Sequence, residues 1–277
     1  MVSQEQRRRQ LAREKFLRQQ QRRTSARRKA RMRNAAIASV LGVILIGSVA
    51  LYTTGVVLGD DDSKTNASAE VTPSASATGE APDPCDKPAE GKVKTQTWKK
   101  EPALTVDKSA KYTMKLETTC GDIDIALKAK AAPHTVNSFD FLAGKGYFDH
   151  TKCHRLTTEG IYVLQCGDPT AQGNGGPGYN IPDENLKDKS LKDNMYPAGT
   201  VAMANTGQPD SGGSQFFLVY QDSQLPPSYT PFGTVSKEGM TVLKKIAAAG
   251  AQPADPTTGN TAPNATVVID KATVTKS

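Results

Sequence analysis

Cysteine is scarce in this chain, with four among 277 residues. That excludes a disulfide scaffold and leaves room for one or two bridges in an oxidising compartment. A metal centre is also poorly provided for. His150, Cys153, His154 and Cys166 form an H-x-x-C-H pattern plus one thiol, a spacing that matches no common zinc site, and neighbouring strand residues point to opposite faces. Gly173, Gly175, Gly176 and Gly178 lie in a loop that lacks the Gly-Lys-Ser/Thr of a phosphate cradle. Gly212-Gly213-Ser214 is followed by Phe216 where a nucleophile elbow needs a second glycine. No internal repeat is present. Neither a metal nor a cofactor is therefore expected.

Charge is unevenly distributed. Thirteen Lys and Arg stand against two Glu in residues 1–34, an excess larger than the +7 of the whole chain. Everything after the tail is net acidic, which removes the basis for a nucleic-acid surface on a folded domain. The tail itself has too little apolar surface to pack alone.

Residues 35–59 carry no charge. A helix rises about 1.5 Å per residue, so roughly 20 residues cross a hydrocarbon core of about 30 Å. The run is longer than the apolar part of a cleaved signal peptide, and a retained single-pass anchor is expected. Arg31 and Arg33 precede it and Asp60, Asp61 and Asp62 follow. The positive-inside rule then puts the N-terminal tail in the cytoplasm and all later residues outside the cell membrane. Residues 60–108 are rich in Ser, Thr, Ala, Pro and Asp, the composition of a flexible, disordered linker. Within them Trp98, the one Trp of the chain, offers an apolar ring that a domain surface can bury.

The domain is expected over 109–277. Tyr112, Met114 and Leu116 alternate with polar residues, as do Ile123, Ile125 and Leu127, with Cys120-Gly121 at the turn between two half-buried strands. Val136, Phe139 and Leu142 recur at helical spacing after Pro133, and Met240, Leu243 and Ile246 mark a second helix. Short apolar strands fall at 161–165, 200–204 and 215–220, and a last one at 267–274. This pattern predicts a mainly β fold, a closed antiparallel barrel capped by two helices.

Three clusters stand out in the domain: Cys153-His154-Arg155-Leu156 with Ile161 to Asp168, then Met203-Ala204-Asn205-Thr206-Gly207, then Gly213-Ser214-Gln215-Phe216-Phe217. In order and spacing they resemble the FHR, M-x-QGGD, MAN-x-G and GSQFF patterns of the cyclophilins. The likeness covers about 110–277, and the anchor-plus-tether layout resembles envelope cyclophilins of actinobacteria. The resemblance implies an eight-stranded barrel and peptidyl-prolyl cis/trans isomerisation of exported or envelope proteins, with proline-containing polypeptides as partners. It assigns catalytic roles to Arg155 and Gln165. Substrate-binding roles fall on Tyr162, Val163, Ala204, Asn205, Gln215, Phe217 and Leu225. Strand alternation makes Phe216 a core residue beside Phe217.

There are departures. The Arg155–Gln165 segment is two residues longer than the common form, and Cys166 replaces a glycine. The family's pocket tryptophan and histidine fall near Gln224 and Tyr229, which implies weak cyclosporin binding. A non-catalytic proline-peptide binding module at the envelope is the alternative from another functional class. For the cysteines, Cys153 and Cys166 flank a strand–loop–strand segment and are expected to bridge, leaving Cys85 for Cys120.

Overall fold

A computed structural model describes residues 83–277 apart from Thr258. The basic tail, the uncharged run at 35–59 and the first part of the expected linker lie outside the described residues. Among the described residues no helix is long and apolar enough to cross a membrane.

Eleven strands and two helices make up the domain. The strands are β1 (Tyr112–Thr118), β2 (Gly121–Leu127), β3 (Thr151–Lys152), β4 (Arg155–Leu156), β5 (Val163–Cys166), β6 (Met195–Tyr196), β7 (Thr200–Met203), β8 (Phe216–Val219), β9 (Ser223–Gln224), β10 (Pro231–Val235) and β11 (Val268–Lys276). Helix α1 spans Pro133–Gly144 and α2 spans Lys237–Ala248. Nine strands form one antiparallel sheet in the order β3-β11-β1-β2-β10-β7-β8-β5-β4, and β6 and β9 pair separately.

The expected closed ladder of eight is thus corrected to an open ladder of nine. Its end strands, β3 and β4, are not neighbours in that order. They are consecutive in sequence, and the chain passes from one to the other through Cys153 and His154, which stand in no strand. The Cys153 N–H goes to Val267 O (2.9 Å) on one side and the His154 N–H to Gln165 O (3.1 Å) on the other. One stretch of chain therefore serves both ends of the sheet in turn, and this switch divides what would otherwise be a single strand.

The β1–β2 hairpin follows its alternation. Met114 faces Ile125 and Leu116 faces Ile123 in register, and all four are buried. In β7 and β8 every residue is buried, so both faces of these short strands are covered, and in β5 only Gln165 is part-exposed. Leu164, Cys166, Phe216, Leu218, Val201 and Met203 turn to the main core, while Val163, Phe217, Val219 and Ala202 turn outward into a second, smaller apolar cluster. The main core is centred on Phe139 of α1, whose ring lies 4.6 Å from Phe232, 5.3 Å from Phe148 and 5.4 Å from Phe216. Each such burial contributes about 1.5–3 kcal/mol.

Both helices begin with identifiable caps. Pro133 occupies the first turn of α1, and the free N–H groups of His134 and Thr135 go to the Glu184 carboxylate (3.1 and 2.9 Å). Ser236 caps α2 by accepting from the Gly239 N–H (3.0 Å).

The linker expected over 60–108 needs correction from residue 83 onward. Residues 83–108 have no regular secondary structure, yet they run along the domain as a strap. Cys85 is bridged to Cys120, the Asp86 N–H meets Thr119 O (2.8 Å), and the Ala89 N–H meets Asp270 Oδ1 (3.0 Å). Further along, the Trp98 N–H meets Pro177 O (2.7 Å) and the Thr105 N–H meets Asn137 Oδ1 (2.8 Å). The strap buries little of its own, as its composition says. It is ordered because the domain supplies partners for its backbone and a surface for Trp98.

Candidate active site: a two-chambered cleft

The outward row of the sheet builds the cleft. Register places Arg155 opposite Gln165, Gln165 opposite Phe217, and Phe217 opposite Ala202. Four adjacent strands thus deliver an arginine, a glutamine and an aromatic ring to one surface. Arg155 Nη1 donates to Gln165 Oε1 (3.2 Å), Gln165 Nε2 donates to Gln215 Oε1 (2.8 Å), and Gln215 Nε2 donates to Gly175 O (3.0 Å). Each amide in this relay uses its oxygen toward Arg155 and its nitrogen away from it, which fixes the orientation of both glutamines.

Two chambers open along this row. The first, about 330 Å³, has Phe217 and Val163 as apolar floor and Ile161, Leu225 and Tyr229 as walls, with Arg155, Gln165, Ala204 and Asn205 at its polar side and Gly173, Gly259 and Asn260 at its rim. The second, about 410 Å³, shares Gln165, Gly173, Ala204 and Asn205 with the first. Its remaining lining comes from the 174–180 loop and from Thr206, Ser211, Gly213, Ser214 and Gln215. No charged side chain lines it.

The loop between the strands is organised by a buried carboxylate. Asp168 is fully inaccessible and accepts from the Thr170 N–H (2.7 Å) and Oγ1 (2.8 Å) on one oxygen and from the Gly173 (2.7 Å) and Gly175 (3.0 Å) N–H groups on the other. Burial alone would raise its pKa, but the bonds from Gly175, Thr170 and Gly173 outweigh it and hold the pKa below the usual carboxylate value. A Cβ at Gly175 would fall 2.0 Å from Asp168 Oδ1, so the loop can close on the carboxylate only with glycine there.

Burial pulls the Arg155 pKa below its ordinary value, and the Tyr229 phenol offsets part of that shift. A guanidinium so placed stays charged at neutral pH. His154, 6% exposed, has neither ring nitrogen bonded among the described residues. Burial lowers its pKa, with Asp168 opposing and Arg155 assisting.

Of the residues expected at the site, Arg155, Gln165, Val163, Ala204, Asn205, Phe217 and Leu225 line the first chamber, and Gln215 lines the second. The Asn205 side chain is engaged within the turn, donating to Ser228 O (2.7 Å) and accepting from the Gly207 N–H (3.0 Å). Tyr162 is the exception. It lines neither chamber; its ring packs against Tyr220 at 5.9 Å and its N–H meets Ser223 Oγ (2.8 Å). The reason is strand alternation: Val163 and Gln165 face the cleft, so the neighbour that shares their side is Ile161. The sequence held that signal. It also held Tyr229, noted only as the position of a missing histidine, whose ring stands edge-on to Phe217 at 5.4 Å.

Both cysteine pairs are disulfides, Cys153–Cys166 beneath the Arg155–Gln165 pair and Cys85–Cys120 at the root of the strap. This is the pairing expected from the sequence.

The family model described as cyclophilin type peptidyl-prolyl cis-trans isomerase/CLD matches residues 113–274. The chain belongs to that family. Its cyclophilin domain is 47% identical over 175 residues to the "Probable peptidyl-prolyl cis-trans isomerase B" of Mycobacterium leprae, a match that covers 60% of this chain and 55% of the relative. It is 38% identical over 133 residues to the peptidyl-prolyl cis-trans isomerase of Helicobacter pylori, covering 47% of this chain and 77% of that protein. The chain spans about half the length of the mycobacterial relatives it matches. Among solved structures, a Cryptosporidium parvum cyclophilin type peptidyl-prolyl cis-trans isomerase matches at 26% identity with a TM-score of 0.47, covering 60% of this chain and 98% of that one.

Proposed function

We propose that this chain is a peptidyl-prolyl cis/trans isomerase that accelerates X–Pro rotation in exported or envelope proteins. The observation that carries the reading is the arginine–glutamine relay beside a chamber of about 330 Å³ that is also lined by Phe217, Val163, Ile161, Leu225 and Tyr229.

Rotation about an X–Pro bond is opposed by amide resonance, a barrier of about 18–20 kcal/mol. No bond is cleaved and no proton need leave. The catalyst must hold the ring, let the acyl half turn, and stabilise an amide that has lost conjugation. In the first chamber the ring lies on Phe217 between Val163, Ile161, Leu225 and Tyr229. Burying its three methylenes is worth about 2 kcal/mol, and the planar and twisted forms share that gain. Discrimination comes from Arg155. As the amide twists, the proline nitrogen regains a lone pair, and a guanidinium N–H directed at it stabilises the twisted form selectively. The relay through Gln165 and Gln215 keeps the guanidinium aimed, and Gln165 Nε2 retains a second N–H for the substrate carbonyl. No cofactor enters this scheme.

The setting proposed is the extracytoplasmic side of the cell membrane, with residues 35–59 as a single-pass anchor and the basic tail in the cytoplasm, in the manner of an actinobacterial envelope cyclophilin. Two disulfides support an oxidising compartment. With Gln224 and Tyr229 near the family's tryptophan and histidine positions, cyclosporin should bind weakly.

The test is catalysed exchange of an X–Pro peptide by the full chain, without added metal or cofactor. Acceleration over the uncatalysed rate is expected, and an unchanged rate in folded protein would sink the reading. Protease added to intact spheroplasts tests the topology: the domain should be removed and the tail protected.

A further inference from the structure

The strap does more than cover the domain. Residues 97 and 98 brace one wall of the second chamber. The Trp98 N–H donates to Pro177 O (2.7 Å). Gly178 has φ +86°, and a Cβ there would fall 2.8 Å from Trp98 O and 3.0 Å from Thr97 Cβ, so strap and loop backbones are in direct contact. Pro177 and Gly178 both line the second chamber.

The indole anchors this contact. Its ring packs edge-on to Phe141 at 5.1 Å and tilted over Tyr147 at 5.9 Å. The Tyr147 hydroxyl lies 3.1 Å from Ser214 Oγ, and Ser214 lines the same chamber from the opposite side of the loop. The strap is held on both flanks, by Cys85–Cys120 upstream and by the Thr105 N–H on Asn137 Oδ1 downstream. Its other backbone bonds to the domain involve Thr119, Asp270, Tyr112 and again Asn137. Among the described residues none of these bonds reaches a residue lining the first chamber. The bracing is therefore one-sided.

We infer that Trp98 is a positioning residue for the second chamber, and that the strap sets how well the cleft accepts proline peptides long enough to reach beyond the ring pocket. This rests on the isomerase reading for its biological meaning but not for its test, because affinity alone can judge it. The chemistry of the chamber defines the ligand: a peptide segment flanking the proline, with neutral or polar side chains, against a lining of glycines, amides and hydroxyls that carries no charge. At Pro177 and Gly178 the outer face of the loop is held by the strap, which Trp98 anchors.

The experiment uses the full chain with Trp98→Ala and Trp98→Phe, and two probes: a blocked X–Pro dipeptide and a six-residue peptide with X–Pro at its centre. Dissociation constants and exchange rates are measured for both. Trp98→Ala should weaken the longer peptide about tenfold, a change of about 1.4 kcal/mol, and leave the dipeptide within about twofold. Trp98→Phe, which keeps a ring on Phe141, should restore most of the affinity. Equal weakening of both probes would mean a merely structural role and would overturn the inference, as would no change in either. If Trp98→Ala does not fold, Phe141→Leu removes the ring beneath the indole and carries the same expectation. A wild-type chain that binds both probes without accelerating exchange would remove the isomerase reading while leaving the affinity split to decide this one.

Discussion

The two chambers of the cleft are built in opposite ways. The ring chamber is anchored by four strand side chains, Arg155, Val163, Gln165 and Phe217. Val163 and Phe217 stand on β5 and β8 and belong to an apolar cluster that also holds Tyr196, Ala202, Val219 and Leu225. Its shape is set by packing, and it would keep that shape empty. The second chamber is made of loop backbone, with glycines at 173, 175, 176, 178 and 213 in its lining. Its shape is set by outside supports: the Asp168 carboxylate, the Tyr179 hydroxyl on Ser138 Oγ (2.8 Å), and the strap. A small rigid ring suits a rigid slot, whereas a variable flanking peptide suits a backbone surface whose fit is adjusted by what holds it.

The largest expected effect comes from attacking the strand-built side. Phe217→Ala removes a ring only 5% exposed and should cost about 3–5 kcal/mol of stability by the cavity it leaves. Urea denaturation would show it, together with loss of dipeptide affinity. A variant as stable as wild type would mean that the ring chamber is not part of the packed structure.

A smaller effect is expected on the loop-built side. The methyl of Gly175→Ala collides with Asp168 Oδ1 and must displace a carboxylate whose two oxygens share four donors. Overpacking of this kind costs about 1–3 kcal/mol. The distinguishing readout is binding: the longer peptide should lose affinity while the dipeptide keeps it. If the dipeptide suffers as much, the chambers are not independent and the contrast fails.

The smallest effect belongs to the seam. Gly173 borders both chambers, and a Cβ there would lie 3.6 Å from His154 Nε2. Burial keeps the folded pKa of His154 below the ordinary 6.5, so the unfolded chain binds the proton first. Stability should fall as pH drops below about 6.5, until the folded-state pKa is passed. Asp168 acts in the same sense at lower pH: its contribution is present above the ordinary 3.8 and is lost as pH falls through its lowered value. Melting temperatures at pH 7.5 and 5.5 should therefore differ, and His154→Leu should flatten that difference. An unchanged slope in the variant would assign the pH dependence elsewhere.

What the sequence made legible follows the same division. Strand elements with strict alternation, β1 and β2, and the apolar stripes of both helices could be read directly, since burial on one face writes a period into the residues. Arg155, Gln165, Gln215 and Phe217 were found through spaced motifs, and register explains why motifs so far apart meet. The motif assigns Tyr162 beside Val163, a placement that depends on a gap in the longer Arg155–Gln165 segment, whereas alternation puts Ile161 on the side of Val163. The open ladder was missed because the strand at 151–156 changes partners midway, which leaves no mark in hydropathy. Residues 83–108 looked like linker because composition measures what a segment can bury by itself. The strap is ordered by groups elsewhere in the chain, by Pro177, Asn137 and Asp270, and only Trp98 and the expected Cys85–Cys120 bridge hinted at it.

In the proposed mechanism binding and catalysis separate at Arg155: the first chamber would hold the proline, and the guanidinium would act on the twisted amide alone. The most direct test measures, on one X–Pro peptide, both the dissociation constant and the catalysed exchange rate for the full chain and for Arg155→Ala. Wild type is expected to bind and accelerate exchange, and the variant to bind within about threefold but lose about 10²–10³ in rate, the scale of one donor aimed at a transition state. If the variant retains the wild-type rate, or loses affinity in the same proportion as rate, Arg155 is not the selective donor and the mechanism is contradicted.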